Sequence, residues 1–159
     1  MYPKSNLILL KASLFDALSQ NVDVNAYFMG KYNLNSNNEW LPTSVLIDCL
    51  DEIEERIGPS TLSRIGSNIA KNAVLPSSQN TFQYFLKFIL NDTYRANHQK
   101  LDDGFKFDFE DNNIILNLKN NPYPLTFNKG LLLGFSYKHN TLSKVIELDR
   151  HTLLIENIM

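Results

Sequence analysis

The chain is poor in the residues that mark several protein classes. It holds one cysteine in 159 residues, so it can form neither an internal disulfide nor a CxxC site, which suits a reducing, cytoplasmic setting. Glycine totals six, and neither a GxxxxGKS/T loop nor a GxGxxG turn occurs, so a backbone cradle for phosphates is not expected. HExxH and GxSxG are also missing, as is any Cys/His cluster at metal spacing, so no metal site is expected. Charge of one sign is not in excess: 15 basic residues face 17 acidic ones, which excludes a polybasic nucleic-acid surface. No apolar run approaches the roughly 18 residues of a membrane span, and the amino-terminal stretch MYPKSNLILLKASLFDAL lacks a signal-peptide cleavage pattern.

What is present is apolar residues in regular patterns. Hydrophobic residues make up 43% of the chain, enough for one self-sufficient core, so residues 1–159 are read as a single domain. Near residue 100 the apolar period changes from 3.6 to 2.0. Leu7, Leu10, Leu14 and Leu18 share one face of a first helix. Tyr32–Glu39 reads as a polar loop, and Trp40-Leu41-Pro42-Thr43 as a helix start capped by Thr43. Val45, Leu46, Cys49, Leu50, Ile53 and Ile57 line the next stripe, opposite the solvated run Asp51–Arg56. Gly58-Pro59 ends that helix. Ser60 or Thr61 opens another, with Leu62, Ile65, Ile69 and Ala73 inward and Gly66 marking a close helix contact, until Leu75-Pro76-Ser77-Ser78 breaks it.

The next helix, residues 79–98, is apolar over most of its circumference and is expected to be the buried central one. Phe105, Phe107 and Phe109 then alternate with charged residues, Asp111-Asn112-Asn113 supplies a turn, and residues 114–118 return, which predicts a β-hairpin. Asn121-Pro122-Tyr123-Pro124 is an extended crossover to a short helix through Phe127, Leu131, Gly134 and Phe135, with Gly130 letting it press on the sheet. Residues 144–148 and 153–158 predict a second hairpin. The order predicts an α+β fold, with a helical first half and a long central helix packed on an antiparallel sheet of two β-hairpins.

Few residues point to chemistry. Cys49 lies on an apolar stripe and reads as an inert buried thiol. His139 and His151 fall in polar turns and read as solvated. His98 ends the apolar helix, where it is either a charge favourably placed at a helix carboxyl end or a polar anchor for a bound molecule. Tyr94 and His98 on this helix, Phe105 and Phe107 on the hairpin and Tyr123 on the crossover surround one junction, where an apolar pocket with polar handles is expected.

The central helix NTFQYFLKFILNDTYRANH (80–98), the hairpin GFKFDFEDNNIILNL (104–118), the segment FNKGLLLGF (127–135) and the strand KVIEL (144–148) together resemble one superfamily. It joins the haem–nitric-oxide-binding (H-NOX) domains, the 4-vinyl reductase-like domains and the Golgi-transport TRAPP subunits. The similarity is one of layout, over about residues 40–158. It implies a scaffold that binds small molecules or other proteins. Toward H-NOX domains it further implies a haem-ligating histidine near the end of the 80–98 helix, for which His98 is the candidate. The Tyr-x-Ser-x-Arg motif that holds haem propionates in that family has no counterpart with serine and arginine at the required spacing. The carboxyl-terminal cysteine of many 4-vinyl reductase-like members is also missing.

The expectation is a ligand-binding or sensor-type domain without catalysis, taking an apolar or aromatic molecule between helix and sheet. One alternative is a protein-interaction module acting as a homodimer through an open apolar edge at LLIENIM (153–159). Another is a haem-based gas sensor using His98.

Overall fold

The computed structural model describes residues 3–18, 22–73, 81–101, 103–141 and 143–157. Its first half is helical, as the 3.6 period predicts: α1 (Leu7–Leu18), α2 (Val22–Lys31), α3 (Thr43–Arg56) and α4 (Pro59–Asn72). Leu7, Leu10, Leu14 and Leu18 are all buried along α1. Three strands too short to show a period thread this half. β1 (Lys4–Asn6) lies between β2 (Trp40–Pro42) and β3 (His98–Gln99), antiparallel to both. Residues 40–42 are therefore a strand rather than a helix start. Thr43 does not cap α3 with its side chain; its hydroxyl is drawn off to Ser5.

The second half holds α5 (Phe82–Tyr84), a π-helical segment (Phe85–Ile89), α6 (Leu90–Ala96), β4 (Lys106–Glu110), β5 (Asn113–Asn117), α7 (Leu125–Lys138), β6 (Ser143–Asp149) and β7 (Thr152–Asn157). The four strands form one antiparallel sheet in the order β4-β5-β7-β6, made of the two expected hairpins. Asp111 takes the first turn with φ of 53°, a conformation its short polar side chain tolerates. The α+β architecture stands.

Three expectations about the later helices need correction. The helix at 82–96 is not buried all round: Tyr84 and Phe88 are about half exposed, and the π turn, in which Leu90 N–H reaches back to Phe85 O, interrupts the α register. The central helix is α7, which is longer than the residues 127–135 suggested and buries eight side chains or backbones along its length. Gly130 does not face the sheet. A Cβ there would stand 1.9 Å from Ser63 O of α4, one at Gly66 would stand 2.2 Å from Phe127 O, and one at Gly134 2.6 Å from Ser67 O. Glycines on both helices thus let α4 and α7 cross with their backbones in contact, as small residues do wherever helices meet this closely. Lys138 Nζ donates to Ala73 O at 2.5 Å, which caps the end of α4 from α7.

β7 pairs on both sides, so residues 152–157 lie inside the sheet and leave no open edge of the kind expected at LLIENIM. The edges are β4 and β6. Along β4 the phenylalanine face is only partly covered: Phe105 is buried, Phe107 half-buried and Phe109 exposed. His139 is not solvated, since its ring packs on Phe82 and Phe85. Cys49 is fully buried, and burial raises its thiol to about 12, which leaves it inert. The expected break at 75–78 and the ends of the helix at 79–80 and the strand at 158 lie outside the described residues. Among the described residues no helix is long and apolar enough to cross a membrane.

Replacing Gly130 by alanine should cost about 3 kcal/mol, because the new methyl meets backbone rather than a movable side chain. Gly30 in α2 has open space around it, so Gly30→Ala should instead stabilise by roughly 0.5–1 kcal/mol. Urea unfolding midpoints of the two variants check both signs.

Candidate functional site

Pairing of β1 with β3 sets Ser5 opposite His98. His98 follows α6, one turn after Tyr94, and Tyr123 approaches from the crossover before α7. Around them is a cavity of about 70 Å³ whose wall is mostly aliphatic and aromatic, with Leu10, Leu90, Phe127 and Leu131 among its residues. Gly104 makes room for one wall, since a Cβ there would come within 2.9 Å of the Tyr94 ring. Tyr94 stacks on His98 with centroids 4.1 Å apart, and Phe105 meets Tyr94 edge-on at 5.5 Å.

Hydrogen-bond chemistry orients the polar groups. His98 Nδ1 lies 2.6 Å from Tyr94 O, and a carbonyl only accepts, so Nδ1 carries the proton. Burial lowers the His98 pKa against the smaller, opposing effect of that bond, so the imidazole is neutral and Nε2 is an acceptor. The Tyr123 hydroxyl, 2.5 Å away, therefore donates to Nε2. Having spent its proton, Tyr123 OH accepts from Ser5 Oγ at 2.8 Å, and Ser5 Oγ accepts from Thr43 Oγ1 at 2.8 Å. One relay of fixed direction runs Thr43, Ser5, Tyr123, His98, Tyr94 O. It joins α3, β1, the crossover, β3 and α6. Burial raises the Tyr94 and Tyr123 hydroxyls well above their ordinary value, so both stay protonated.

Of the residues singled out in the sequence, Tyr94, His98, Phe105 and Tyr123 stand on the cavity wall. Phe107 does not; it stacks between Phe105 and Phe109 along β4. His98 as a neutral acceptor replaces the reading of it as a charge at a helix end. Three polar residues of the site are not marked as such in the sequence. Ser5, on the wall, sits in a segment with no visible motif, and Thr43, behind Ser5 in the relay, reads as a helix cap. Asn128 sits in α7 and is fully buried. Its Nδ2 faces three acceptors, Asn121 Oδ1 at 3.1 Å and the carbonyls of Tyr123 and Pro124 at 3.4 Å. That fixes the amide orientation and leaves Oδ1 buried without a donor. A signal existed: Asn128 and Leu132 step by four beside Phe127, Leu131 and Phe135, so a lone amide occupies an apolar stripe. Among the described residues, no three His, Cys, Asp or Glu side chains converge.

Both His98 and His139 have pKa values lowered by burial. The unfolded chain protonates them near 6.5 while the folded chain resists, so the unfolded state binds more protons and stability falls as pH drops below about 6.5. Urea midpoints should decline between pH 7 and 5. His139→Phe, which suits the Phe82–Phe85 contact and removes a buried nitrogen without a partner, should flatten part of that decline.

No family model and no curated protein sequence matches the chain. Solved structures do. An H-NOX protein from S. oneidensis in the Fe(II)NO state aligns at a TM-score of 0.68 with 13% identity, covering 95% of this chain and 98% of that one. The NMR structure of an H-NOX domain from Shewanella oneidensis in the Fe(II)CO state gives 0.69 with 12% identity, covering 94% and 97%. An oxygen-binding H-NOX domain related to soluble guanylate cyclases, solved as its oxygen complex, gives 0.66 with 14% identity, covering 95% and 92%. The scaffold resemblance read from the sequence holds: this chain has the fold of the H-NOX domains.

Proposed function

We propose that this chain is a ligand-binding domain of sensor type, without catalysis, whose site is the cavity walled by Tyr94, His98, Tyr123 and Asn128. The observation that carries this reading is the relay. It runs through buried polar groups from four other segments to hold one neutral imidazole on the wall of an apolar cavity, an arrangement that costs conformational entropy and is built where orientation matters.

For the identity of the ligand, the fold comparisons give a haem-based gas sensor more support than an unspecified apolar molecule, because the neighbours were solved in Fe(II)NO and Fe(II)CO states and as an oxygen complex. The imidazole also suits that reading: a backbone carbonyl holds Nδ1, which is how proteins orient a histidine to ligate through Nε2. The remainder of the site does not fit the group. Nε2 is already taken by Tyr123. Of the wall residues none is a lysine or arginine that could neutralise propionates, and the buried atom without a partner, Asn128 Oδ1, repels carboxylates. The space, about 70 Å³, is less than half of the ~150 Å³ that an engineered cavity needs to hold benzene. No step through haem follows from this geometry, and a compact neutral guest is the reading the cavity supports.

Hemin titration of the purified protein, followed at the Soret band and compared with His98→Ala, decides between the two. The expected result is no saturable one-to-one band that depends on His98. A band of that kind, lost in His98→Ala, would establish the haem reading and displace the small guest. Native mass spectrometry before and after denaturation checks the ligand-binding reading itself, through a small molecule released on unfolding.

A further inference from the structure

The polar wall of the cavity allows the guest's chemistry to be narrowed, and this step rests on the ligand-binding reading above. Most polar groups there are satisfied within the chain. Ser5 and Tyr123 belong to the relay. Asn97 Oδ1 accepts from Asn6 Nδ2 at 3.2 Å, Asn97 Nδ2 donates to Thr93 O, and Asn6 Oδ1 accepts from Leu9 N–H. His98 spends both ring nitrogens. Asn128 differs. It is 0% exposed, and its Oδ1 is the one buried side-chain atom without a partner among the described wall residues.

We propose that the site selects a small, neutral, mainly apolar molecule bearing one N–H or O–H donor, and that the donor binds Asn128 Oδ1. Three constraints converge on that class. An amide oxygen can only accept, and its orientation is set because every polar atom around Nδ2 is an acceptor. A buried acceptor left alone is costly, so a guest supplying the donor gains more than one that fills the same space without it. Anions meet no cation on the wall, and a cation would have to leave water for a site whose one free acceptor is a neutral amide. Asn128 is thereby a specificity-determining residue, whereas His98 and Tyr123, occupied with each other, act as walls.

The test compares methanol with fluoromethane, molecules of nearly equal size that a cavity of about 70 Å³ can admit, of which one presents an O–H donor and the other only a fluorine. Amide spectra of the wild-type chain would be recorded during titration with each probe, following Tyr94, Phe127 and Leu131. Methanol should shift these amides with about tenfold higher affinity than fluoromethane, the factor that one net hydrogen bond of ordinary strength provides. In Asn128→Leu the preference should vanish or invert. That variant also gives up the bonds to the 121–124 crossover, on which folding of this segment draws, so the wild-type comparison decides without it. Equal or tighter fluoromethane binding at these residues overturns the inference while leaving a ligand site in place. Silence from both probes, the outcome of a cavity holding water only, also overturns it. A His98-dependent Soret band overturns it in favour of haem, with the ligand-binding reading intact. Failure of the reading itself looks different: no guest in the native mass spectrum and no probe or hemin binding at all.

Discussion

The backbone contact between α4 and α7 is the constraint on which the rest of the structure depends. With Gly66, Gly130 and Gly134 at the crossing, the two helices approach until carbonyls lie where side chains would otherwise stand. α7 can then occupy the centre, with α4 on one side and the four-stranded sheet and the 82–96 helix on others. Phe127, Leu131 and Phe135 are buried along it, and the same residues furnish one wall of the cavity. Were α7 held farther out, Asn128 and the crossover bearing Tyr123 would move with it, and the relay to Ser5 and His98 would not close. Close packing at one face and polar chemistry at the other are consequences of a single helix position.

Much of the fold was legible because its elements are long enough to show a period. Twelve- and fourteen-residue helices such as α1, α3 and α4 reveal their buried stripes, and the 105–118 hairpin reveals its alternation. Strands of two or three residues, β1, β2 and β3, carry no period and escaped notice, yet their pairing brings Ser5 to His98. The helix at 80–98 misled through composition alone. An all-round apolar helix reads as central, but centrality here was decided by glycine, which hydropathy does not weigh. Tyr84 and Phe88 stay half exposed as a result.

The site was partly legible for a related reason. Aromatic residues and a histidine at one junction are conspicuous in a sequence, and four of the five singled out stand on the cavity wall. Phe107 follows the alternation but stands beyond the cavity, its ring set between those of Phe105 and Phe109. Ser5 and Asn128 carry no motif, and Thr43 has the pattern of a helix cap rather than of a relay member. Their importance comes from burial with fixed partners, a property of three-dimensional placement; only Asn128 left a trace, as an amide within an apolar stripe. The tautomer of His98 was beyond any sequence argument, since it depends on which atom faces a carbonyl.

The Ser5–Tyr123 bond joins positions 118 residues apart, and this bears on how the protein comes into being on the ribosome. A nascent chain that has emerged through His98 already possesses the imidazole, the Tyr94 carbonyl and the hydroxyls of Ser5 and Thr43. It still has no α7 and no Tyr123, so the cavity has neither its floor nor its polar bond to close it. Pairings this distant are late in folding because their loop entropy must be met before they return anything. The cavity is therefore closed only once α7 has emerged, and a chain stalled before it exposes the parts without assembling them.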